Sequence, residues 1–381
     1  MKKAKRILMY GYFGAGNMGD EAILEVQSKI LKQLAPDIEI SIFTRNIERA
    51  KELNLIPYKF DNIFEIFDAI ESCDLIISGG GELFQDITGT STPLYYGLMM
   101  FLGKIAKKPV FAFGQGFGSI TTKEGISYTK QLLQYCTIAT FRDEESLKEF
   151  KKFAPNVPVY YTADPAFAYE QGNPEKGKEL LNKIGVKNNK KIIYFSIREF
   201  KGIDYTTIAE GINKWYDLQE DKNIQFIIIP YQYCFDENIS KNISNLFKFE
   251  HYITGELKVS EFMDLLAVDN CELIISTRLH GIILGSIANR CCVAISYLSK
   301  VQRICDILNA PYIKLEEITP ESICNLLNNT WLNRKEICEK EYNIALKEKK
   351  KYMKQRKWLW IYLKIKFLLI KLIIKIKFGN K

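Results

Sequence analysis

Short apolar runs, each bounded by glycine, proline or charged residues, alternate along the chain with longer amphipathic stretches. Such runs have the length of buried strands, and helix-length amphipathic stretches between them are typical of βα units that build a parallel sheet. We predict these strands from the pattern: Ile7–Tyr10, Glu39–Phe43, Leu75–Ser78, Pro109–Phe113, Ile138–Phe141, Val159–Tyr161, Ile192–Ile197, Phe226–Ile229, Leu273–Ser276 and Val293–Ser296. Each half of the chain is therefore expected to form a doubly wound, Rossmann-like α/β domain.

The length of the chain also favours two domains, because 381 residues exceed what one hydrophobic core usually serves. The similar hexapeptides Cys73–Ser78 and Cys271–Ser276 suggest a shared layout, although any buried strand that ends at a binding edge tends to this composition. The polar stretch 170–191 contains the predicted linker. We predict an N-terminal domain over 1–170, a second domain over 190–350 that faces it across a cleft, and a tail over 351–381.

Net charge separates the tail from the rest of the chain. The formal charge is +8, yet residues 351–381 hold ten Lys and Arg and no Asp or Glu, so residues 1–350 are close to neutral. A nucleic-acid surface needs Lys and Arg clustered on one face of a folded body. The charge distribution therefore argues against a nucleic-acid partner.

Within the tail, Trp358–Phe378 is mostly apolar, but lysines at 364, 366, 371, 375 and 377 interrupt it, so no run has the length of a spanning helix. On a helix, Lys357, Lys364, Lys371 and Lys375 share one face, whereas Lys366 and Lys377 fall opposite. We interpret residues 357–381 as an imperfect amphipathic helix on an anionic membrane surface. The alternatives are a packed terminal helix and an aggregation-prone segment.

Cysteine usage indicates the compartment. The nine cysteines form no C-x-x-C pair and lie near no histidine at zinc-ligand spacing. The apolar run Ile7–Tyr10 behind the basic N-terminus is too short for a signal-peptide core. We predict a cytoplasmic protein, peripheral on the inner face of the cell membrane, without a bound metal.

The first glycine-rich segment, Gly14–Gly19, has the G-x-G-x-x-G spacing of a dinucleotide site after a strand and before a helix. Asp20 and Glu21 at the helix start would repel a pyrophosphate, and the end of the second strand offers Thr44-Arg45 instead of a ribose-binding carboxylate. We favour a turn at which a sugar or small anion contacts Gly16, Asn17 and Asp20. The alternative is a tight turn with Asp20 as helix cap.

A second glycine-rich exit, Gly79–Gly81, follows a buried strand, and Gln115 lies in a third such exit. Successive glycines expose backbone N–H groups, and Glu82 and Gln115 offer the acceptors and donors that sugar hydroxyls need. We predict that Gly80, Gly81, Glu82 and Gln115 form an acceptor-binding edge. Turn chemistry alone is the alternative.

Cations recur where predicted strands end. Arg142, Arg198 and Arg278 each follow a strand, a position from which a guanidinium grips a carboxylate or phosphate. Arg142 and Arg198 could instead form surface ion pairs with Asp143 and Glu199.

His280, one of two histidines, lies in the Ser276–Gly281 segment. Lys300 lies beyond the next strand. We predict an anion-binding corner with His280 as general acid/base, and a structural role for His251.

Read in order, these motifs resemble those of the polysaccharide pyruvyl transferases. The residues that carry the resemblance are Gly16–Ile23, Gly79–Gly81, Arg142–Ser146, Asp164-Pro165, Arg278–His280 and Ile295–Tyr297 with Lys300. The chain departs from the family pattern at Leu298-Ser299, where Asp-Pro is frequent, and at Cys291-Cys292, where proline is frequent.

The resemblance implies a GT-B-like fold, as in two-domain glycosyltransferases, with an acceptor-side N-terminal and a donor-side C-terminal domain. It implies phosphoenolpyruvate as co-substrate, with no other cofactor, and a lipid-linked or polymeric saccharide of a cell-wall or exopolysaccharide precursor as acceptor. Catalytic positions would be Arg142, Arg278, His280 and Lys300, with Arg198 and Ser276 as further donor-binding residues. The alternatives are a nucleotide-sugar glycosyltransferase and a non-catalytic membrane-associated scaffold.

Overall fold

The computed structural model describes the backbone of residues 6–87, 89–186, 190–202 and 204–378, with side chains as far as Lys354. The last helix includes most of the tail, but the side chains on which the predicted membrane contact of residues 357–381 depends lie outside the described part. No helix among the described residues combines the length and the apolar character needed to cross a membrane.

The first half of the chain forms a parallel sheet. Its strands are β1 (Arg6–Tyr10), β2 (Glu39–Phe43), β3 (Ile56–Tyr58), β4 (Leu75–Ser78), β5 (Gly81–Phe84), β6 (Val110–Phe117), β7 (Ile138–Phe141) and β8 (Val159–Tyr161). The strand order is β3-β2-β1-β4-β6-β7-β8, and β5 pairs with β6. The helices of this half are α1 (Met18–Leu34), α2 (Ile47–Glu52), α3 (Ile63–Ser72), α4 (Ser91–Ile105), α5 (Lys123–Leu132) and α6 (Glu144–Phe153).

The second half repeats this arrangement. Its strands are β9 (Lys191–Ser196), β10 (Ile224–Ile228), β11 (His251–Ile253), β12 (Cys271–Ser276), β13 (Cys291–Ser296) and β14 (Tyr312–Lys314), in the order β11-β10-β9-β12-β13-β14. Its helices are α7 (Pro174–Lys183), α8 (Tyr205–Asp217), α9 (Tyr233–Ser244), α10 (Val259–Ala267), α11 (Leu279–Ile287), α12 (Ser299–Leu308) and α13 (Pro320–Phe378).

Both sheets are doubly wound, because the strand order reverses direction between β1 and β4 in one and between β9 and β12 in the other. Ligands of such sheets bind at the carboxyl ends of the strands, at this reversal. Inner strands such as β4, β10 and β13 are buried on both faces, which explains why they are continuous apolar runs instead of alternating ones. The prediction of two Rossmann-like α/β domains is confirmed.

Contacts divide the chain into two compact units. Unit 1 contains the chain up to Ala15, Ile23–Ala168 and the chain from Glu348, whereas unit 2 contains Gly16–Ala22 and Tyr169–Lys347. The boundaries predicted from the sequence differ from this grouping in three places. Unit 2 begins at Tyr169, not at 190, and contains α7, which lies within the stretch predicted to hold the linker. Gly16–Ala22 joins unit 2, because the N–H of Met18 donates to the carbonyl of Tyr231 (3.0 Å). The start of the tail joins unit 1, where the ring of Tyr352 packs on Phe113.

Candidate functional site

The predicted corner of unit 2 begins where β12 ends. Ser276 accepts a hydrogen bond from the N–H of Arg278 (2.9 Å) and donates one to the carbonyl of the same residue (3.0 Å). The N–H of Thr277 donates to the carbonyl of Ser196 at the end of β9 (3.0 Å). The Ser276 hydroxyl, predicted to bind the donor, is therefore fully buried and shapes the turn into α11.

Arg278 is the N-cap residue of α11, and its side chain is buried. Its Nη2 donates to both carboxylate oxygens of Asp236, one of them at 2.6 Å. Asp236 comes from α9, is fully buried, and also accepts from the N–H of Gln232 (3.0 Å). The charge of Arg278 is therefore compensated inside the protein, which the sequence did not indicate.

His280 lies in the first turn of α11 and is half-buried. Gly19, in the first turn of α1, lies directly against it within unit 2, since a Cβ added at Gly19 would overlap the imidazole Nδ1. Position 19 therefore needs glycine, because any side chain there would clash with the imidazole of His280. The structure therefore brings the predicted binding turn to the predicted acid/base.

The neighbouring residues of that turn are fixed by local contacts. Gly16 has a left-handed φ of 68°, Asn17 forms an antiparallel bridge with Gln232, and the side-chain oxygen of Asn17 accepts from the N–H of Gly19 (3.1 Å). Asp20 is buried in the first turn of α1, where a carboxylate is stabilised by the helix dipole. Gly16, Asn17 and Asp20 therefore belong to the same unit as His280.

Arg198 follows β9 and is half-buried. Its N–H donates to the hydroxyl of Thr277 (2.9 Å), and its Nη1 donates to the hydroxyl of Tyr297 at the end of β13 (3.3 Å). Among the described residues its guanidinium has no carboxylate partner, so the alternative of an ion pair with Glu199 is wrong. Lys300, half-buried in the first turn of α12, follows the same strand as Tyr297.

Several buried polar atoms of this corner have no hydrogen-bond partner among the described residues: the Nε of Arg278, the hydroxyl of Tyr231 and the hydroxyl of Ser196. The Tyr231 hydroxyl lies against the first turn of α11, because a Cβ added at Gly281 would lie 3.1 Å from it. Burial raises the pKa of Tyr231 well above its usual range, so the phenol stays a donor. Unsatisfied buried polar groups are rare in native proteins, and these groups could bond to a water or a ligand.

Unit 1 carries Arg142 at the end of β7. Its Nη1 donates to Asp164 (2.9 Å), its Nε lies 3.8 Å from Asp143, and a Cβ at Gly116 would lie 2.6 Å from its Nη2. Burial would lower the pKa of Arg142, but the carboxylates of Asp164, Glu82 and Asp143 raise it above its ordinary value. The alternative of a surface pair with Asp143 is wrong, because the pair is buried and its closest partner is Asp164.

The glycine-rich edge of unit 1 is more regular than predicted. Gly81 opens β5, so the exit from β4 turns directly into a short strand that pairs with β6. Gly80 packs against Ile23, where a Cβ would lie 2.9 Å from the side chain. Gln115 is fully buried, and its amide donates to the hydroxyl of Ser78 (2.9 Å) and the carbonyl of Gly79 (3.1 Å). Gln115 therefore supports the turn, and Glu82, half-buried, acts on Arg142.

Among the described residues, no group of three or more His, Cys, Asp or Glu side chains is arranged to hold a metal ion. The residues available for chemistry in unit 2 are thus an imidazole, cations, a phenol and the N–H groups of a helix start. Such a set can bind a carboxylate or phosphate and move a proton.

The sequence profile of the polysaccharide pyruvyl transferase family matches residues 17–299. The chain belongs to this family. The predicted family is therefore confirmed, and the matched range contains Arg142, Arg278 and His280, while Lys300 lies one residue beyond it. No curated protein sequence matches the chain.

Solved structures show the fold. A glycosyltransferase from Rickettsia africae is 13% identical with a TM-score of 0.64, covering 95% of this chain and 99% of that one. Anabaena HepE in complex with UDP and glucose is 12% identical with a TM-score of 0.63, covering 94% and 99%. The UDP-GlcNAc 2-epimerase from Neisseria meningitidis is 13% identical with a TM-score of 0.60, covering 95% and 100%. At these identities the likeness shows the fold alone, the GT-B type predicted from the sequence.

Sequence reasoning missed several residues that contact these candidate positions. Asp236 gave no signal, because it lies in a polar segment of α9 far along the chain from its partner. Asp164 and Tyr297 were noted only within motifs, and Tyr231 not at all. Arg142 belongs to unit 1, whereas Arg278, His280 and Lys300 belong to unit 2, so their joint role in donor binding stays a prediction.

Proposed function

We propose that this family member transfers the pyruvyl group of phosphoenolpyruvate to a sugar of a cell-wall or exopolysaccharide precursor and releases phosphate. The family and the fold support a transferase of polysaccharide biosynthesis. The observation that supports phosphoenolpyruvate as the donor is the unit 2 corner, where Arg198 has no carboxylate partner within the described part of the chain and His280 lies in the first turn of α11. An anion is favoured there by the charge of Arg198 and by the dipole at the helix start.

In this mechanism Arg198, Lys300 and the first N–H groups of α11 bind the carboxylate and phosphate of phosphoenolpyruvate. Arg278, held by Asp236, keeps the edge rigid, and its Nε–H can donate a hydrogen bond to phosphoenolpyruvate. Arg142 is proposed to contribute a further donor contact from unit 1. The Tyr231 phenol supplies another hydrogen bond, since burial keeps it protonated.

The chemical step begins with protonation of the donor at C3, which makes C2 electrophilic and oxocarbenium-like. One sugar hydroxyl attacks C2, the C2–O bond to phosphate breaks, and a second hydroxyl of the same sugar closes the cyclic ketal, with both hydroxyl protons released. We assign the proton transfers to His280, because imidazole exchanges protons near neutral pH. Asp20 or Glu82 is proposed to assist on the acceptor side.

Replacing His280 tests the assignment. We expect His280→Ala to abolish phosphate release from phosphoenolpyruvate in the presence of lipid-linked saccharides, because general acid/base catalysis contributes about 10²- to 10⁴-fold. Gly19→Ala should also lower kcat, by about 100-fold, since its Cβ displaces the imidazole. Phosphate release and product mass are the measurements.

Gly255→Ala is the matched control, because a Cβ at Gly255 meets nothing within 4 Å. Near-normal turnover in His280→Ala would reject the acid/base role. Release of a nucleotide from a nucleotide sugar in place of phosphate would support a glycosyltransferase instead, and absence of any turnover in the parent protein would support a scaffold.

We further propose that residues 357–381 hold the enzyme on the inner face of the cell membrane, where a lipid-linked acceptor would lie. Deleting them should remove most sedimentation with anionic vesicles, and added salt should weaken binding of the full chain, because Lys contacts with anionic lipid are screened. The deletion begins beyond Tyr352, so the contact of that ring with Phe113 is kept. Equal sedimentation of both chains would contradict the proposal; vesicles of neutral lipid are the control.

A further inference from the structure

The carboxyl edge of unit 1 carries an aromatic cluster that the function above does not use. Tyr12, Arg45 and Phe60 each lie two residues beyond the end of β1, β2 and β3, which are neighbours in the sheet. The guanidinium carbon of Arg45 lies 5.5 Å from the ring centre of Tyr12 and 5.1 Å from that of Phe60. Tyr95, in the first turns of α4, meets Phe60 edge to face at 6.2 Å.

Arg45 differs from the other arginines near this sheet. Arg6 is paired with Glu39, and Arg49 with Glu25 and Glu52. The exposed guanidinium of Arg45 has neither an ion pair nor a hydrogen bond among the described residues, and only the two rings hold it. Its five N–H donors are therefore oriented by stacking and remain available for a ligand.

The backbone below this cluster is fixed before any ligand binds. The N–H of Arg45 donates to the carbonyl of Phe13 (3.3 Å), which ties the end of β2 to the loop after β1. Gly14 in that loop has a φ of 72°, and a Cβ there would lie 2.5 Å from the N of Asn46. The glycine thus lets the loop close against β2 and sets the spacing of Tyr12 and Arg45.

We propose that Tyr12, Arg45, Phe60 and Tyr95 form a subsite for an anionic saccharide, a sugar ring that carries or adjoins a carboxylate or phosphate. Aromatic rings present apolar faces to the C–H face of a sugar, and the guanidinium fork matches the two oxygens of an anion. This inference rests on the proposed function and names the chemistry of its acceptor.

The position of the subsite also indicates the extent of the acceptor. Arg45 follows β2 and Arg142 follows β7, and the order β2-β1-β4-β6-β7 places four strand spacings between them. At about 4.8 Å per spacing, the two cations lie roughly 19 Å apart along one edge. An acceptor that reaches from this subsite to a donor bound near Arg142 is therefore longer than one sugar ring.

The subsite is tested on the full chain without phosphoenolpyruvate, by saturation-transfer NMR with glucose 1-phosphate, glucuronate and neutral methyl glucoside. Arg45→Gln should weaken the binding of both anionic sugars about tenfold, because a charge-assisted contact is lost, and should leave the binding of methyl glucoside unchanged. Phe60→Leu should weaken the binding of all three sugars. Lys130→Gln, which removes an exposed charge on α5, is the control and should change nothing.

Unequal losses for glucose 1-phosphate and glucuronate tell whether phosphate or carboxylate is preferred, and either pattern supports the subsite. Binding of inorganic phosphate as tight as glucose 1-phosphate and unaffected by Phe60→Leu would overturn it, as would tighter binding of uridine monophosphate. Phosphate release from phosphoenolpyruvate is measured separately. Phosphate release without binding of the sugars refutes this subsite alone. Binding of the sugars without phosphate release refutes the proposed function alone.

Discussion

The carboxyl edges of the two sheets share a division between two kinds of arginine. In unit 1 Arg142 is buried against Asp164, and in unit 2 Arg278 is buried against Asp236. Each edge also has an arginine without a carboxylate partner among the described residues, held by aromatic groups instead: Arg45 in unit 1 and Arg198 in unit 2.

The two kinds of arginine face different energetic demands. A buried guanidinium must be neutralised, since leaving it unpaired costs several kcal/mol, and its partner then competes with any incoming anion. An arginine that is stacked or only hydrogen-bonded to a phenol keeps its full charge for a ligand. The comparison teaches that a buried arginine at a strand end mainly supports the site and shares its charge with a carboxylate, whereas a more exposed arginine without a carboxylate can give its full charge to a ligand.

The largest expected effect comes from removing the carboxylate of a buried pair. Asp236→Asn leaves the charge of Arg278 uncompensated in the interior, so we expect the free energy of unfolding to fall by about 3 to 5 kcal/mol. Asp164→Asn should cost less, because Asp143 and Glu82 still act on Arg142. Urea unfolding followed by circular dichroism measures both.

Equal losses of unfolding free energy in Asp236→Asn and Asp164→Asn would contradict this expectation. They would mean that the extra carboxylates around Arg142 contribute nothing to stability. A loss below about 1 kcal/mol for Asp236→Asn would show that Arg278 finds another partner or water when Asp236 is neutral.

The sequence predicted the strands that are continuous apolar runs, because burial on both faces leaves a local signature. It also predicted β8, although this strand is three residues long and partly exposed at a sheet edge. It missed β3, β11 and β14, which are three residues long and half-buried at sheet edges, and β5, which begins at the third of three consecutive glycines. It also ended β6 at Phe113, although the strand continues through Gly114 to Phe117. Strands that are very short, and strands that contain glycine, depend on tertiary pairing, which no local pattern encodes.

The candidate site was predictable as a set of positions but not as a set of contacts. Arg142, Arg198, Arg278 and His280 stood out because they follow apolar runs. The partner of Arg278 is 42 residues away in sequence, and the approach of Gly19 to His280 joins opposite halves of the chain. Charge compensation is therefore a property of the fold that only the structure supplies.

Glu341 extends the comparison from buried arginines to a buried carboxyl group. It has no cation partner among the described residues. It accepts from the N–H of Cys292 (2.9 Å), and burial raises its pKa well above its ordinary 4.5. The folded protein thus keeps this proton at pH values where the unfolded chain has lost it, so stability falls as pH rises above about 4.5.

Glu341→Gln keeps the amide-accepting oxygen and cannot ionise. We expect it to raise the free energy of unfolding at pH 8 and to leave it unchanged near pH 4, a smaller effect than Asp236→Asn and opposite in sign. Urea midpoints between pH 4 and 8 give the measurement. A pH-independent difference between the two proteins would mean that Glu341 is ionised in the folded state.

The smallest effect on stability is expected for Arg198→Gln, because Arg198 has no carboxylate to leave unpaired. The free energy of unfolding should change by no more than about 0.5 kcal/mol. The KM for phosphoenolpyruvate should rise about tenfold with a smaller change in kcat, since a charge-assisted contact to the bound donor is lost in the ground state and the transition state alike. Steady-state phosphate release separates the two parameters. If Arg198→Gln instead unfolds the protein as readily as Asp236→Asn, while KM stays constant, the hydrogen bond to Tyr297 is structural and the distinction between supporting and binding arginines fails in unit 2.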